Sequence, residues 1–413
     1  MRVGIRFVAA CALCAAPLAA RASDDEFALQ ARHVVTVEGA TYDEGGSVLV
    51  RGGRVEDVQP GFVNPWGVEV RRFDDAWLLP GFVEAHSQGG LDRPNENAPN
   101  TPFVSVLDGL DPLAPYFEDL LRDGVTTVFV VPGDQTLLGG QGLVLKPVGR
   151  TAEEMIVRRD AGLKVALAPR RGTSRMAQLA ELRRTLRAAR GQEAREVVDN
   201  PDDPGRAPRQ RALSDLLDGK LPAVLACDAS VDVVNALAVL DEFRLRGFVT
   251  LGTGARRALP LLAERGVACL LPDDIEPLER DPETGEETRR FLAKEALDAG
   301  VPVAIQANEA SAYGMRSLWY QAAVAVSQGV PRDVALRAVS LEPARVLDVA
   351  ERVGSLAKGK DANVVLWSGD PLDPLSVVER VWIEGAQVYD RATDRKLKRL
   401  LDGVERSRSE ESR

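Results

Sequence analysis

Eight short apolar runs, separated by stretches with helical periodicity, recur through the middle of this 413-residue chain. The runs are Leu78–Ser87, Thr126–Gly133, Gly142–Lys146, Lys164–Pro169, Ala223–Cys227, Gly247–Leu251, Val267–Pro272 and Val301–Gln306. Several are continuously apolar, as strands covered on both faces of a parallel sheet must be. Between them Met176–Arg190, Val231–Phe243, Arg256–Arg265 and Glu286–Ala299 repeat apolar residues at helical spacing. Alternating strands and helices in that number predict an α/β fold, a (β/α)8 TIM-type barrel, over residues 78–351. Chemistry in such a barrel gathers at the C-terminal ends of the strands.

The flanks have a different texture. Val34–Val37, Ser47–Val50 and Gly53–Val58 are short alternating strands, and Ala362–Trp367 and Val377–Val388 repeat the pattern near the other end. Matching strands at both ends predict one small composite β-sandwich, built from residues 23–77 and 352–395, with the barrel inserted between its halves. Gly191–Arg211 is charged, carries three prolines and shows no apolar period, so it reads as a solvated loop or a helix extension followed by a loop. Residues 396–413 read as a charged tail.

Arg2 and Arg6 precede an apolar run from Phe7 to Ala20, and Ala20-Arg21-Ala22 fits a signal-peptidase site. This predicts a signal peptide over residues 1–22 and export to the periplasm or beyond the cell. Its removal takes three arginines and no acid, making the formal charge more negative than the −10 of the whole chain. That balance argues against a nucleic-acid partner. No other segment reaches the apolar length of a transmembrane span. Cys11 and Cys14 leave with the leader, and Cys227 and Cys269 sit in separate apolar runs, predicting buried free thiols.

The chain has only two histidines, His33 and His86. His33 falls in the N-terminal β module and reads as structural. His86 ends the first apolar run in His86-Ser87-Gln88, so the residue that shares its face of the strand is Gln88 and not a second histidine.

Leu79-Pro-Gly-Phe-Val-Glu-Ala-His86 resembles the first-strand signature of the amidohydrolase superfamily. Within it, Asn95-Glu96, Thr101-Pro102, Gly124-Val-Thr-Thr-Val128, Pro132-Gly133 and Gly139-Gly-Gln-Gly142 with Lys146 are similar to an imidazolonepropionase-like branch. Gly354–Asn363 and Gly369-Asp-Pro-Leu372 resemble the family's return to its β module. The resemblance implies a metal-bearing barrel that hydrolyses carbon–nitrogen bonds. A divalent, zinc-like ion would generate hydroxide from bound water, and a carboxylate at the eighth strand would shuttle the proton. It also implies a lysine able to become a metal-bridging carbamate.

Carried over position by position, the resemblance leaves His86, Lys146 and Asp228 as residual metal ligands. Lys146 and Asn308 stand at the catalytic positions. Asn308 replaces the expected aspartate, and a carboxamide accepts no proton at neutral pH. Leu251 stands where a histidine is expected and cannot coordinate. Gln88, Cys227, Leu251, Thr253 and Glu309 are expected to line the pocket, with Cys227 able to offer a thiolate if deprotonated. With so few donors the lysine is expected as a plain ammonium paired to Asp228, Asp134 or Glu309, and no metal is expected to bind tightly.

Gly252–Arg257 resembles a phosphate-binding turn only weakly and reads as a packing turn. Asp273, Asp274 and Glu309 near strand ends read as solvated acids. Two function classes follow. One is a weak or inactive C–N hydrolase with an eroded site, acting on a small amide or cyclic amide. The other is an exported pseudoenzyme that binds a ligand, or pairs as a subunit with an active relative or with itself.

Overall fold

The protein was analysed as a computed structural model that describes residues 26–170, 172–191, 206–307 and 317–411. The expected leader, residues 1–22, lies outside the described residues, as do Asn308 and Glu309. Eight strands form the barrel sheet, here numbered β1 to β8 in chain order. They are β1 Phe82–Ser87, β2 Val125–Val130, β3 Leu138–Leu145, β4 Ile156–Ala166, β5 Ala223–Ala229, β6 Gly247–Gly254, β7 Cys269–Leu270 and β8 Val303–Ala304. They hydrogen-bond in sequence order. All six residues of β2 are buried, matching the continuous apolar reading. Between β8 and β1 the backbone of Ala338-Val339 bridges the seam, accepting from the N–H groups of Ile305 and Val83 at 2.8 and 2.9 Å.

One strand departs from the expected parallel sheet. β3 runs antiparallel to both β2 and β4. The links either side of it, residues 131–137 and 146–155, are too short for the crossover of a dozen or more residues that parallel neighbours need. The end of β3 therefore lies at the base of the barrel, opposite the C-terminal ends of the other strands.

The two ends of the chain do meet in one sheet. Phe27–Val35 pairs in parallel with Glu69–Pro80, which in turn pairs antiparallel with Val364–Trp367. His33 belongs to this sheet, stacked on Trp77 with ring centroids 4.2 Å apart and within 3.1 Å of Asp43, as its structural reading expects. The passage from sheet to barrel is Pro80-Gly81. A Cβ on Gly81 would lie 2.0 Å from Oγ1 of Thr126, so this corner closes only on glycine.

Helices cover the barrel where expected, with two adjustments. Ser230–Phe243 is fastened at its start by Asp232, whose carboxylate accepts the Ala229 N–H at 3.0 Å and pairs with Arg175 at 2.7 Å. The stretch Glu286–Ala299 is helical only from Leu292. Glu287–Arg289 instead pairs with Leu278–Arg280 around a turn in which Asp281 accepts the N–H groups of Glu283 and Thr284 and Gly285 takes a positive φ. The charged loop ends earlier than expected. A helix begins at Arg206 and buries Ala212, Leu213 and Leu216, while residues 192–205 lie outside the described set. The charged tail is a helix over Arg395–Glu411. Among the described residues no helix is long and apolar enough to cross a membrane.

Candidate functional site

A cavity of about 600 Å3 opens at the C-terminal ends of the barrel strands. His86 and Gln88 enter it from β1, Asp134 from the loop after β2, and Ala226, Cys227 and Asp228 from β5. Thr250, Leu251, Gly252 and Thr253 line it from β6, and Pro272, Asp273, Gln306 and Ala307 from the segments after β7 and β8. The expected His86, Gln88, Cys227, Asp228, Leu251 and Thr253 therefore share one cavity.

Lys146 does not join them. It follows the antiparallel β3, so it lies at the base, where its Nζ is 2.6 Å from Oε2 of Glu384 in the composite sheet. Neither a carbamate at the mouth nor a pairing with Asp228 or Asp134 is open to it there, and Glu309 lies outside the described residues. The expectation fails because a lysine at the end of a strand goes where that strand points.

The lysine at the mouth is Lys164, on β4. Its side chain is wholly buried, and its Nζ lies 2.9 Å from Nε2 of His86 and 2.5 Å from Oδ1 of Asp134. An isolated lysine inside Leu163-Lys-Val-Ala-Leu was the available signal, since a cation in an apolar strand must find a partner. Glu84, buried in the same strand as His86, ties the site across the seam. Its carboxylate accepts the N–H of His86 at 3.1 Å and that of Ala307 at 2.8 Å.

The charges form a consistent set. Burial, reinforced by the Lys164 ammonium and opposed by Asp134, pushes the His86 imidazole down to about 3, so it is neutral at pH 7. Neutral imidazole offers one ring lone pair, and at Nε2 it accepts from the ammonium. Burial alone would raise the Asp134 carboxyl, but the charge and hydrogen bond of Lys164 outweigh it and hold it below the usual carboxylate range. Burial, with the nearby acids Asp134 and Asp232, raises the Asp228 carboxyl. Burial also pushes the Cys227 thiol well up, so it offers no thiolate at neutral pH. Cys227 and Cys269 are both buried and free, as expected.

Among the described residues, the donors that line the mouth do not fit a hydrolytic metal. The His86 lone pair faces an ammonium 2.9 Å away, a positively charged neighbour that opposes a second cation. Leu251 lines the wall and offers no lone pair, and Cys227 is a thiol. Among the described residues no group of three or more histidine, cysteine, aspartate or glutamate side chains is arranged to hold a metal ion.

A sequence profile of the Amidohydrolase family matches residues 247–390. Over 410 aligned positions the chain is 26% identical to Amidohydrolase tasK of Hapsidospora irregularis, covering 84% of this chain. The chain spans only 40% of that protein's length. Among solved structures, an amidohydrolase from Thermotoga maritima MSB8 superposes with a TM-score of 0.77 at 28% identity, covering 88% of this chain and 100% of that one. An adenosine deaminase from Xanthomonas campestris with bound zinc shares the fold, with a TM-score of 0.54 at 20% identity over 94% of this chain and 98% of its own. The profile match, the curated relative and the Thermotoga structure together support the amidohydrolase superfamily for this chain.

Proposed function

We propose that this chain uses its barrel mouth to bind a small polar molecule and does so without a metal, having given up the superfamily's metal-dependent hydrolysis of C–N bonds. One observation carries this reading: the buried Lys164 ammonium stands between His86 and Asp134, where it supplies the fixed positive charge of the site. His86 and Asp134 are thereby committed to the lysine and are poor candidates to activate water. The remaining polar lining, Gln88, Thr253 and the Asp228 carboxylate, suits hydrogen bonding to a ligand with amide character. As an exported protein, which its N-terminal sequence supports, it would meet that ligand in the periplasm or outside the cell.

Hydrolysis is the second reading, favoured by the 28% identity to the Thermotoga amidohydrolase over most of the chain. A turnover assay separates the two. Zinc-supplemented protein is tested on N-acyl amino acids, dipeptides and cyclic amides beside His86→Ala. The binding reading expects no hydrolysis above the variant. Turnover that disappears in His86→Ala would overturn it.

A further inference from the structure

A second cavity, of about 670 Å3, lies at the other end of the barrel, where the chain turns into β5, β6 and β7. Four arginines line it, Arg244, Arg246, Arg265 and Arg345, against a single lining acid, Asp241. That concentration of cations stands out in a chain of formal charge −10. Three of the four have carboxylates at hand. Arg265 pairs with Asp241, Arg246 with Asp348 at 3.1 Å, and Arg345 with Glu342 at 2.8 Å.

Arg244 is different. Among the described residues its guanidinium has no partner, and it is exposed at the cavity. Its backbone is also left-handed, with φ 49° and ψ 44°, at the residue that ends helix Ser230–Phe243. Glycine is the usual occupant of that position, because a Cβ is disfavoured there. A strained residue is a pointer to a function that retains it. The function that an unpaired guanidinium beside three further arginines can serve is forked hydrogen bonding to an anion.

We propose that this basal cavity binds a phosphate-class anion, free or as a small monoester, with Arg244 as its main contact. The site is separate from the mouth and stands whether or not the mouth is catalytic. The test uses the full chain at constant ionic strength, titrated with inorganic phosphate and with glycerol phosphate, with chloride as the control. Saturable binding that raises the Tm is expected. Arg244→Gly is the decisive variant, since glycine relaxes the left-handed backbone and the unliganded Tm should hold or rise. It is expected to weaken phosphate at least tenfold. Tighter binding of glycerol phosphate would assign the site to a monoester, and equal binding would assign it to the free ion. Absence of saturable binding, or binding unchanged in Arg244→Gly, would overturn the proposal.

Discussion

The two ends of the barrel each hold a lysine paired to an acid, and they hold them in opposite ways. At the mouth, Lys164 has no solvent-accessible surface and meets His86 and Asp134 at once, although the Asp134 side chain itself is 44% exposed, so the contrast lies in the lysine. At the base, Lys146 and Glu384 are partly open to water, their side chains 22% and 37% exposed, and Glu384 also takes a bond from Arg352 at 3.3 Å. The first is a charge that the fold cannot leave unpaired. The second ties the barrel to the composite sheet and is screened by solvent. Similar ion pairs, then, carry different consequences according to where water reaches.

The sharpest way to break this contrast is Asp134→Ala. It leaves the Lys164 ammonium buried beside a neutral imidazole, and unfolding in urea is expected to show a loss of about 3–5 kcal/mol. A loss below about 1 kcal/mol, the level of an exposed pair, would mean the mouth cluster is no more demanding than the base.

The ends also differ in pH response. At the base, burial and then the charge of Asp119 raise Asp123 to about 7, with an opposing hydrogen bond from Trp319. An acid with a raised folded pKa takes up a proton on folding. Its contribution is present below the unfolded value, near 4, and is lost as pH climbs toward 7. Asp123→Asn is therefore expected to stabilise the protein at pH 8 relative to pH 4, by on the order of 2–3 kcal/mol. At the mouth the sign reverses. His86, depressed to about 3, gives up a proton on folding, so its contribution is full above 6.5 and is lost as pH falls toward 3. His86→Gln, whose amide oxygen can still accept from Lys164, is expected to flatten stability between pH 6.5 and 4. An unchanged slope in either variant would assign that pH response to other groups.

The smallest mutational effect belongs to the base pair. Lys146→Met is expected to cost about 1 kcal/mol or less, because its charge is screened and its methylenes are replaced. Urea midpoints of Lys146→Met and Asp134→Ala, measured together, place the two ends on one scale.

Much of this was legible in the sequence. The eight apolar runs, the shared sheet of the two chain ends and the cavity residues from His86 to Thr253 follow from periodicity and from motif position. Strand direction does not follow from periodicity, because an apolar strand reads the same either way. It was recoverable from connection length, and ignoring the seven-residue link before Leu138 put Lys146 at the wrong end. Lys164 was overlooked for a related reason. The apolar run begins at Lys164, which puts the residue at the edge of its expected strand, whereas β4 begins earlier, at Ile156. The hairpin before Leu292 escaped because helical spacing and alternation overlap in a short charged stretch.

The central claim is that an internal ammonium supplies the charge at the barrel mouth where the superfamily resemblance implies a metal. Metal content and thermal unfolding, measured on the same protein purified without chelators and then treated with EDTA, test it most directly. The expected result is far less than one equivalent of zinc, manganese or iron per chain and an unchanged Tm. Near one equivalent, with a Tm that falls on chelation, would contradict it, since a metal held at a hundred times its Kd stabilises the native state by about 2.7 kcal/mol.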